Sequence, residues 1–140
     1  MAGEIRITSN YQINKTPLVV YSQPGSFVAT LNGNKGPSPG VLSVPITGLN
    51  VDLSKLTQPG ICRIVNLDAT NYLTAGIWDP DTSLFYPFME ILPGEFFVFR
   101  LSRSILNSET GAGTTVLTDK SLRLLANSAT INCIVEAFDS

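Results

Sequence analysis

Apolar and polar residues alternate along most of this chain, and clusters of Gly, Pro, Asn and Asp interrupt the alternation about every 8 to 12 residues. Short alternating runs rich in Val, Ile, Phe, Tyr and Thr are typical of β-strands with one buried face. No heptad repeat and no amphipathic helix period is found. The pattern predicts these ten strands: Glu4–Tyr11, Pro17–Ser22, Ser26–Leu31, Val41–Ile46, Ile61–Asn66, Tyr72–Trp78, Leu84–Leu92, Phe96–Ser102, Ser121–Ala126 and Thr130–Phe138.

About ten short strands in 140 residues indicate an all-β chain, folded as a two-sheet antiparallel β-sandwich of jelly-roll or Greek-key type. A single β-sandwich domain is expected to span residues 1–140. Residues 1–20 are expected to be an arm that interacts with neighbours, and the Gly-rich segments 33–40 and 106–115 to be exposed loops. Residues 51–56 fit either a short helical turn or a crossover between the sheets.

The densest apolar stretch is FYPFMEILPGEFFVFRLSR, residues 85–103, which carries six aromatic residues. Its two predicted strands are apolar on both faces, whereas a two-layer sandwich buries only one face of each sheet. Pro93 and Gly94 between them suit a type II turn, which is expected to carry the chain from one sheet to the other. Phe88 is then expected to meet the core face of the second strand, which carries Phe97, Phe99 and Leu101.

The second apolar face of this stretch has no layer to cover it in a two-sheet fold, so we predict that it is a buried subunit contact. Only 14% of the residues are charged, against 44% hydrophobic, and the formal net charge is −2. So few charges protect a surface poorly against association, and a homo-oligomer, either a dimer or a trimer, is therefore expected. The predicted contact residues are Phe85, Met89, Ile91, Phe96 and Val98.

The charge and hydropathy of the sequence also limit the kinds of partner that the protein is expected to bind. Lys and Arg are scattered and balanced by Asp and Glu, so no nucleic acid is expected to bind. No apolar run reaches the roughly 18 residues that span a bilayer, and the N-terminal sequence has no signal pattern. The protein is therefore expected to be made in a cytoplasm and to bind no membrane.

Histidine is absent, which removes the commonest general base and the usual zinc and iron ligands. Glu90, Glu95 and Glu136 offer the paired carboxylates of a glycosidase, but Glu95 is explained by the Pro-Gly turn and Glu136 by an outward strand position. We therefore predict no enzyme and no cofactor. Cys62 and Cys133 fit small buried apolar residues, with a disulfide between them as the alternative.

Two further sets of residues have both a structural and a binding interpretation. Asp79 and Asp81 have the spacing of calcium-loop ligands, with Asp68 earlier in the chain, but the rest of a twelve-residue calcium loop does not follow. Capping of backbone amides in turns explains these residues, and no metal site is predicted. Three aromatic residues pack in the core or against a neighbouring chain, or alternatively form a glycan-stacking platform: Tyr72, Trp78 and Tyr86.

A longer pattern runs through RIVNLDATNYLTAGIWDPDTSLFYPFMEILPGEFFVFRLSR and then LRLLANSATINCIVEAF. This order of strands and corners, over residues 60–138, resembles small β-sandwich structural proteins of tailed bacteriophages. The resemblance carries no catalytic motif and implies a virion component. It implies a capsid cement or decoration protein that stabilises the head by binding the major capsid protein or other virion proteins. The alternative is a tail, fibre or baseplate accessory protein with a carbohydrate-binding β-sandwich.

Overall fold

The computed structural model of the chain describes residues 4–21, 25–31, 33, 35–102 and 120–139. These residues form β-strands and no helix, and hence no helix that is long and apolar enough to cross a membrane. The twelve described strands are β1 (Glu4–Ser9), β2 (Gln12–Lys15), β3 (Leu18–Tyr21), β4 (Gly25–Thr30), β5 (Ser38–Val44), β6 (Leu49–Asn50), β7 (Pro59–Asn66), β8 (Leu73–Asp79), β9 (Leu84–Ile91), β10 (Phe96–Arg100), β11 (Ser121–Ala126) and β12 (Ile131–Asp139).

Eight of these strands, β5 to β12, form two antiparallel four-stranded sheets. The first sheet has the order β10-β7-β12-β5, and the second has the order β6-β11-β8-β9. In chain order, each pair of hydrogen-bonded strands therefore encloses the next pair, and successive pairs belong to alternate sheets. The pairs are β5/β12, β6/β11, β7/β10 and β8/β9. This is the strand order of a jelly roll, so the prediction of an all-β sandwich of jelly-roll type is confirmed.

The core lies between the two sheets and follows the alternation of the sequence. On β12, every second residue from Ile131 to Ala137 is buried, and the residues between them face outward. The ten predicted runs each overlap one strand, whereas the four-residue β2 and the two-residue β6 were not predicted. The largest core side chains are Val44, Leu53, Leu56, Ile64, Leu73, Ile91, Leu122, Leu124, Ile131 and Val135.

Residues 51–56 cross from β6 in the second sheet to β7 in the first, and they also contain a turn. The Leu56 backbone N–H donates to the Leu53 carbonyl at 2.9 Å, and the Val51 N–H donates to the Leu122 carbonyl at 2.8 Å. Val51, Leu53 and Leu56 are all buried in the core. The segment is therefore a crossover that also closes one end of the sandwich.

The loop that follows β7 is organised around a buried amide. The Asn66 side chain donates from Nδ2 to the carbonyls of Asn71, at 2.8 Å, and Ile91, at 3.0 Å, and accepts at Oδ1 from the Asp68 N–H, at 2.9 Å. The Asp68 carboxylate in turn accepts from the backbone N–H groups of Thr70 and Asn71. The NLDATN segment, which begins at Asn66, thus forms a loop held by its own polar side chains.

Residues 4–21 and 25–30 form a ribbon of four short strands, paired two by two, outside both large sheets, which we call the hairpin arm. β1 pairs with β4 in the register Glu4↔Thr30, and β2 pairs with β3 in the register Gln12↔Tyr21. The described part of the predicted arm, residues 4–20, lies in this ribbon. Of the two predicted loops, the first ends earlier than expected because β5 begins at Ser38, and the second, 106–115, lies outside the described residues.

Candidate functional site

The two outermost strands on one side of the sandwich, β9 and β10, are joined by a four-residue corner. β9 is the edge of the second sheet and β10 the edge of the first, so the chain changes sheet between Ile91 and Phe96. The Glu95 N–H donates to the Leu92 carbonyl at 3.0 Å, the Leu92 N–H donates to Glu95 Oε2 at 3.0 Å, and Gly94 has a φ of 75°. The predicted type II corner between the sheets is therefore confirmed. We call residues 84–100 the lateral edge.

Large apolar side chains are concentrated on the lateral edge. Six of them are between 46% and 61% exposed, and their aromatic and aliphatic groups present roughly 500 Å² of apolar surface. On a soluble protein, an exposed apolar patch of this size often marks an interaction site, whereas scattered single apolar residues do not. The exposed residues are Leu84, Tyr86, Phe88, Leu92, Phe96 and Phe97.

A β-bulge interrupts the lateral edge in the middle of β9. Met89 pairs with Ala75 and Pro87 pairs with Gly76, so Phe88 is an extra residue with no partner on β8. A bulge leaves its additional residue out of the ladder and bends the strand. Phe88 is 60% exposed as a result, and the expectation that it lies in the sandwich interior is wrong.

The residues of the predicted subunit contact are divided by this geometry. Ile91 is 1% exposed in the core and Met89 packs against the core, so these two face the sandwich interior. Phe85 lies beyond the bulge, on the opposite face, as the partner of Trp78. Phe96 is exposed and Val98 is half-buried, both on the outer face of the first sheet. Uninterrupted alternation along β9 would have placed Phe85, Met89 and Ile91 on one face, and the bulge prevents this.

The expected core face of β10 is only partly in the core. Leu101 is buried, and Phe99 packs against the core cluster with its ring centroid 6.2 Å from that of Phe97. Phe97 is 49% exposed, although its partner Ile64 is fully buried. The difference arises because β10 is an edge strand, so the sandwich is open beside Phe97.

Tyr72, Trp78 and Tyr86 do not form one platform. Trp78 pairs with Phe85 and the adjacent Ile77 pairs with Tyr86, so Trp78 and Tyr86 point to opposite faces of the second sheet. Tyr72 precedes β8 and is six residues from Trp78, roughly 20 Å along an extended strand. Each of the three aromatic side chains therefore belongs to a different part of the surface.

The Trp78 ring is covered by an arginine. The Arg123 guanidinium lies 4.3 Å from the ring centroid, in a cation–π contact. It also donates to Asn50 Oδ1 at 2.7 Å and to the Thr47 carbonyl at 2.8 Å. This arrangement ties the short β6 to the outer face of the second sheet.

The three glutamates considered as catalytic acids do not converge. Glu136 pairs with Arg63 at 3.2 Å on the outer face of the first sheet. Glu90 pairs with Thr74 on the outer face of the second sheet, and Glu95 closes the corner through its hydrogen bond to the Leu92 amide. Carboxylates on opposite outer faces cannot flank one glycosidic bond, which needs acids about 5 to 10 Å apart.

The aspartates considered as calcium ligands have protein partners. Lys120 Nζ donates to Asp79 Oδ1 at 2.6 Å and to Asp81 Oδ2 at 3.2 Å, while Asp68 caps the loop after β7. Within the described ranges, no three His, Cys, Asp or Glu side chains are grouped so as to hold a metal ion. The residues therefore fit the capping role that turn chemistry predicts.

These aspartates predict a loss of stability in acid. The Lys120 hydrogen bond lowers the pKa of Asp79 below its ordinary 3.8, and backbone N–H donors from Thr70 and Asn71 lower that of Asp68. A carboxyl with a lowered folded-state pKa stabilises the fold above its unfolded pKa, and this contribution is lost as the pH falls through the folded value. We expect the free energy of unfolding, measured by urea titration, to fall below about pH 4. Lys120→Met should flatten this dependence, whereas Lys15→Met, at an exposed position of the hairpin arm, should not.

Cys62 and Cys133 are both free and buried, so the described structure contains them as apolar core residues and not as a disulfide. They lie on the adjacent strands β7 and β12, where Cys62 pairs with Ala137 and Cys133 with Asn66. Burial raises the pKa of the Cys62 thiol to about 12 and that of the Cys133 thiol to about 11. Both thiols are therefore poor nucleophiles at neutral pH.

No sequence pattern predicts the pair of grooves that lies beneath the hairpin arm. One groove, of about 300 Å³, lies between β1 and the outer face of the first sheet and includes Arg63 and Glu136. The other, of about 590 Å³, runs along all five residues of β10 and is bounded on its far side by residues 7–11 and Phe27. Ile61 lines both grooves and is buried, although it belongs to the outer face of its sheet.

The fold and this surface together define a jelly-roll β-sandwich with an apolar lateral edge and a hairpin arm beside it. Comparison of the chain with protein-family models, with curated proteins and with solved structures finds no match. The class is therefore defined by strand order and by the placement of the side chains alone.

Proposed function

We propose that this chain is a non-enzymatic structural protein of a bacteriophage virion, a capsid cement or decoration protein that self-associates and binds neighbouring capsid subunits. The observation that carries the proposal is the lateral edge, where six large apolar side chains stand half-exposed along one side of the sandwich. In an isolated subunit this surface would face water, which is unfavourable at about 25 cal/mol per Å². Contact with another protein removes that cost.

Two further features support an assembly role. The jelly roll is a fold that viral capsid domains use, although fold-level analogy alone does not assign a function. The hairpin arm consists of four short strands paired two by two, and a ribbon only two strands wide, whose described side chains are mostly exposed, is marginally stable by itself. Contact with a neighbouring subunit would stabilise it. Repetition of weak contacts over a symmetric lattice then gives strong overall binding through avidity.

The tail or fibre accessory with a glycan-binding surface has less support. It depended on Tyr72, Trp78 and Tyr86 forming a platform, and these side chains lie on different faces and at different ends of the second sheet. A tail location without glycan binding remains an outcome that the experiment below distinguishes.

Head binding tests the proposal directly. Phage heads purified without this protein are mixed with increasing amounts of it and sedimented, and the expected result is saturable binding at a fixed number of copies per head. Protein that stays in the supernatant at tens of micromolar would contradict the capsid role. Binding to purified tails but not to heads would favour the tail accessory.

A pair of substitutions tests the lateral edge itself. Phe88→Ser with Phe96→Ser removes two exposed rings, and we expect head binding and self-association to weaken by about tenfold or more, because each ring buries apolar area only on contact. Sedimentation measures both effects. The matched control is Val41→Ser with Ile46→Ser, which removes side chains of 69% and 56% exposure outside the lateral edge and should leave binding unchanged. Equal weakening by both pairs would show that general hydrophobicity, and not this edge, drives association.

A further inference from the structure

The sandwich has four edge strands, and three of them are blunted against pairing with another chain. β5 contains Pro39, which lacks an N–H donor, and Gly40 in the left-handed region with a φ of 96°. β6 is only two residues long. β9 contains Pro87 and the bulge at Phe88. Proline, bulges and short length are the usual devices by which β-sheet proteins keep their edges from associating.

The fourth edge strand, β10, has none of these devices. Its sequence is FFVFR, without Pro or Gly, and its register with β7 runs without a shift from Phe96 to Arg100. An apolar edge strand without such an interruption is a template for a further strand. Among the described strands, β10 has a neighbour on one side only, which is β7. On the other side runs the groove of about 590 Å³ that separates β10 from the hairpin arm.

We propose that β10 pairs antiparallel with β10 of a second copy of this chain, about a two-fold axis at Val98, so that two four-stranded sheets become one eight-stranded sheet. The inference rests on the proposed self-association and specifies its geometry. A two-fold axis at Val98 places Val98 opposite Val98, Phe97 opposite Phe99 and Phe96 opposite Arg100. An isologous contact of this kind closes at two subunits.

The exposed apolar surface favours a second copy as the occupant, and the charge of β10 is compatible with it. Arg100 is the one charged residue of β10, and the two-fold register separates the two Arg100 residues along the strands, so no like charges lie directly opposite each other. The rest of the lateral edge lies beside β10, and its exposed side chains bring the buried area towards the roughly 800 Å² per partner of a stable interface.

Cysteine cross-linking tests the register. Opposed residues in an antiparallel pair have Cα atoms about 4.5 to 5.5 Å apart, within the range of a disulfide. Val98→Cys should therefore give a covalent dimer with itself under oxidised glutathione. Phe96→Cys alone should not, because the two copies of residue 96 are offset by about 13 Å along the strands, but it should cross-link with Arg100→Cys. The unmodified chain controls for buried Cys62 and Cys133.

Two comparisons distinguish specific pairing of β10 from nonspecific cross-linking and from another register. Ser43→Cys lies on the blunted edge β5 of the same sheet, at an exposed outward position, and should remain uncross-linked. A Val98→Cys chain that cross-links no faster than Ser43→Cys overturns the pairing. Cross-linking of Phe96→Cys with itself as fast as Val98→Cys overturns the register.

A charge at the axis gives an independent readout. Val98→Lys would set two lysines opposite each other, and sedimentation should show self-association weakened at least tenfold, while Ser43→Lys leaves it unchanged. A Val98→Lys chain that still dimerises as the unmodified chain does overturns the proposal. Head binding is measured separately. Heads bound by a chain that shows no Val98 cross-link would overturn the β10 pairing alone, whereas cross-linking without head binding would support the pairing and contradict the virion role.

Discussion

Asn66→Ala is expected to lower the free energy of unfolding by about 3 kcal/mol. The side chain is 1% exposed and satisfies three backbone groups, the carbonyls of Asn71 and Ile91 and the N–H of Asp68. Alanine removes the partner of all three and leaves at least the Ile91 carbonyl without water to replace it. A buried polar group without a partner costs about 1 to 3 kcal/mol, and the shorter side chain also leaves a small cavity.

Urea unfolding followed by tryptophan fluorescence measures this loss, since the chain has one tryptophan, Trp78. Asn132→Ala is the matched control, because Asn132 lies on the adjacent β12 with an exposed side chain, and it should change the stability by less than about 0.5 kcal/mol. Equal stability of the two variants would mean that the loop after β7 is not held by the Asn66 amide.

The sequence predicts the parts of the fold that depend on local pattern. Alternation from Ile131 to Ala137 identifies β12 and its buried face, because a strand with one buried face must place apolar residues at every second position. The corner at Pro93 and Gly94 is equally local, since a type II turn requires the positive φ that Gly94 adopts.

The parts that the sequence did not predict depend on residues far apart in the chain. Phe97 is exposed because β10 is the outermost strand of its sheet. The local sequence of β10 does not determine that position in the strand order. The face on which Phe85 lies depends on the bulge at Phe88, and the bulge depends on what β8 offers opposite it. Tyr72, Trp78 and Tyr86 were grouped by residue type, and only the register shows that Trp78 and Tyr86 face opposite ways.

The bulge links the fold to the candidate assembly surface. It exposes Phe88 on the lateral edge while it keeps Met89 and Ile91 against the core. It also blunts β9 against strand pairing, whereas β10 has a neighbour on one side only among the described strands. One local irregularity therefore distinguishes β9, which contributes exposed apolar side chains, from β10, which we propose pairs with a second copy.

Gly76→Ala is expected to destabilise the fold by about 3 kcal/mol, because this glycine lies opposite the bulge. A Cβ at position 76 would overlap the backbone carbonyl oxygen of Tyr86 and would lie 2.7 Å from both Pro87 Cα and the edge of the Phe85 ring. Two of these three contacts are backbone atoms of β9, which cannot move aside as a flexible side chain can. Glycine within a strand often marks such a close approach of two backbones.

Urea unfolding measures the cost, and Gly25→Ala is the control, since a Cβ there has no atom within 4 Å and should change the stability by less than about 1 kcal/mol. Gly76→Ala has a second expected effect if the clash displaces β9 while the chain remains folded. Displacement of Tyr86 and Pro87 would rearrange the lateral edge. Gly76→Ala should therefore also weaken self-association when this is measured without urea, under conditions in which the variant is folded. A variant that is destabilised but associates normally would show that the bulge serves the fold and not the assembly surface.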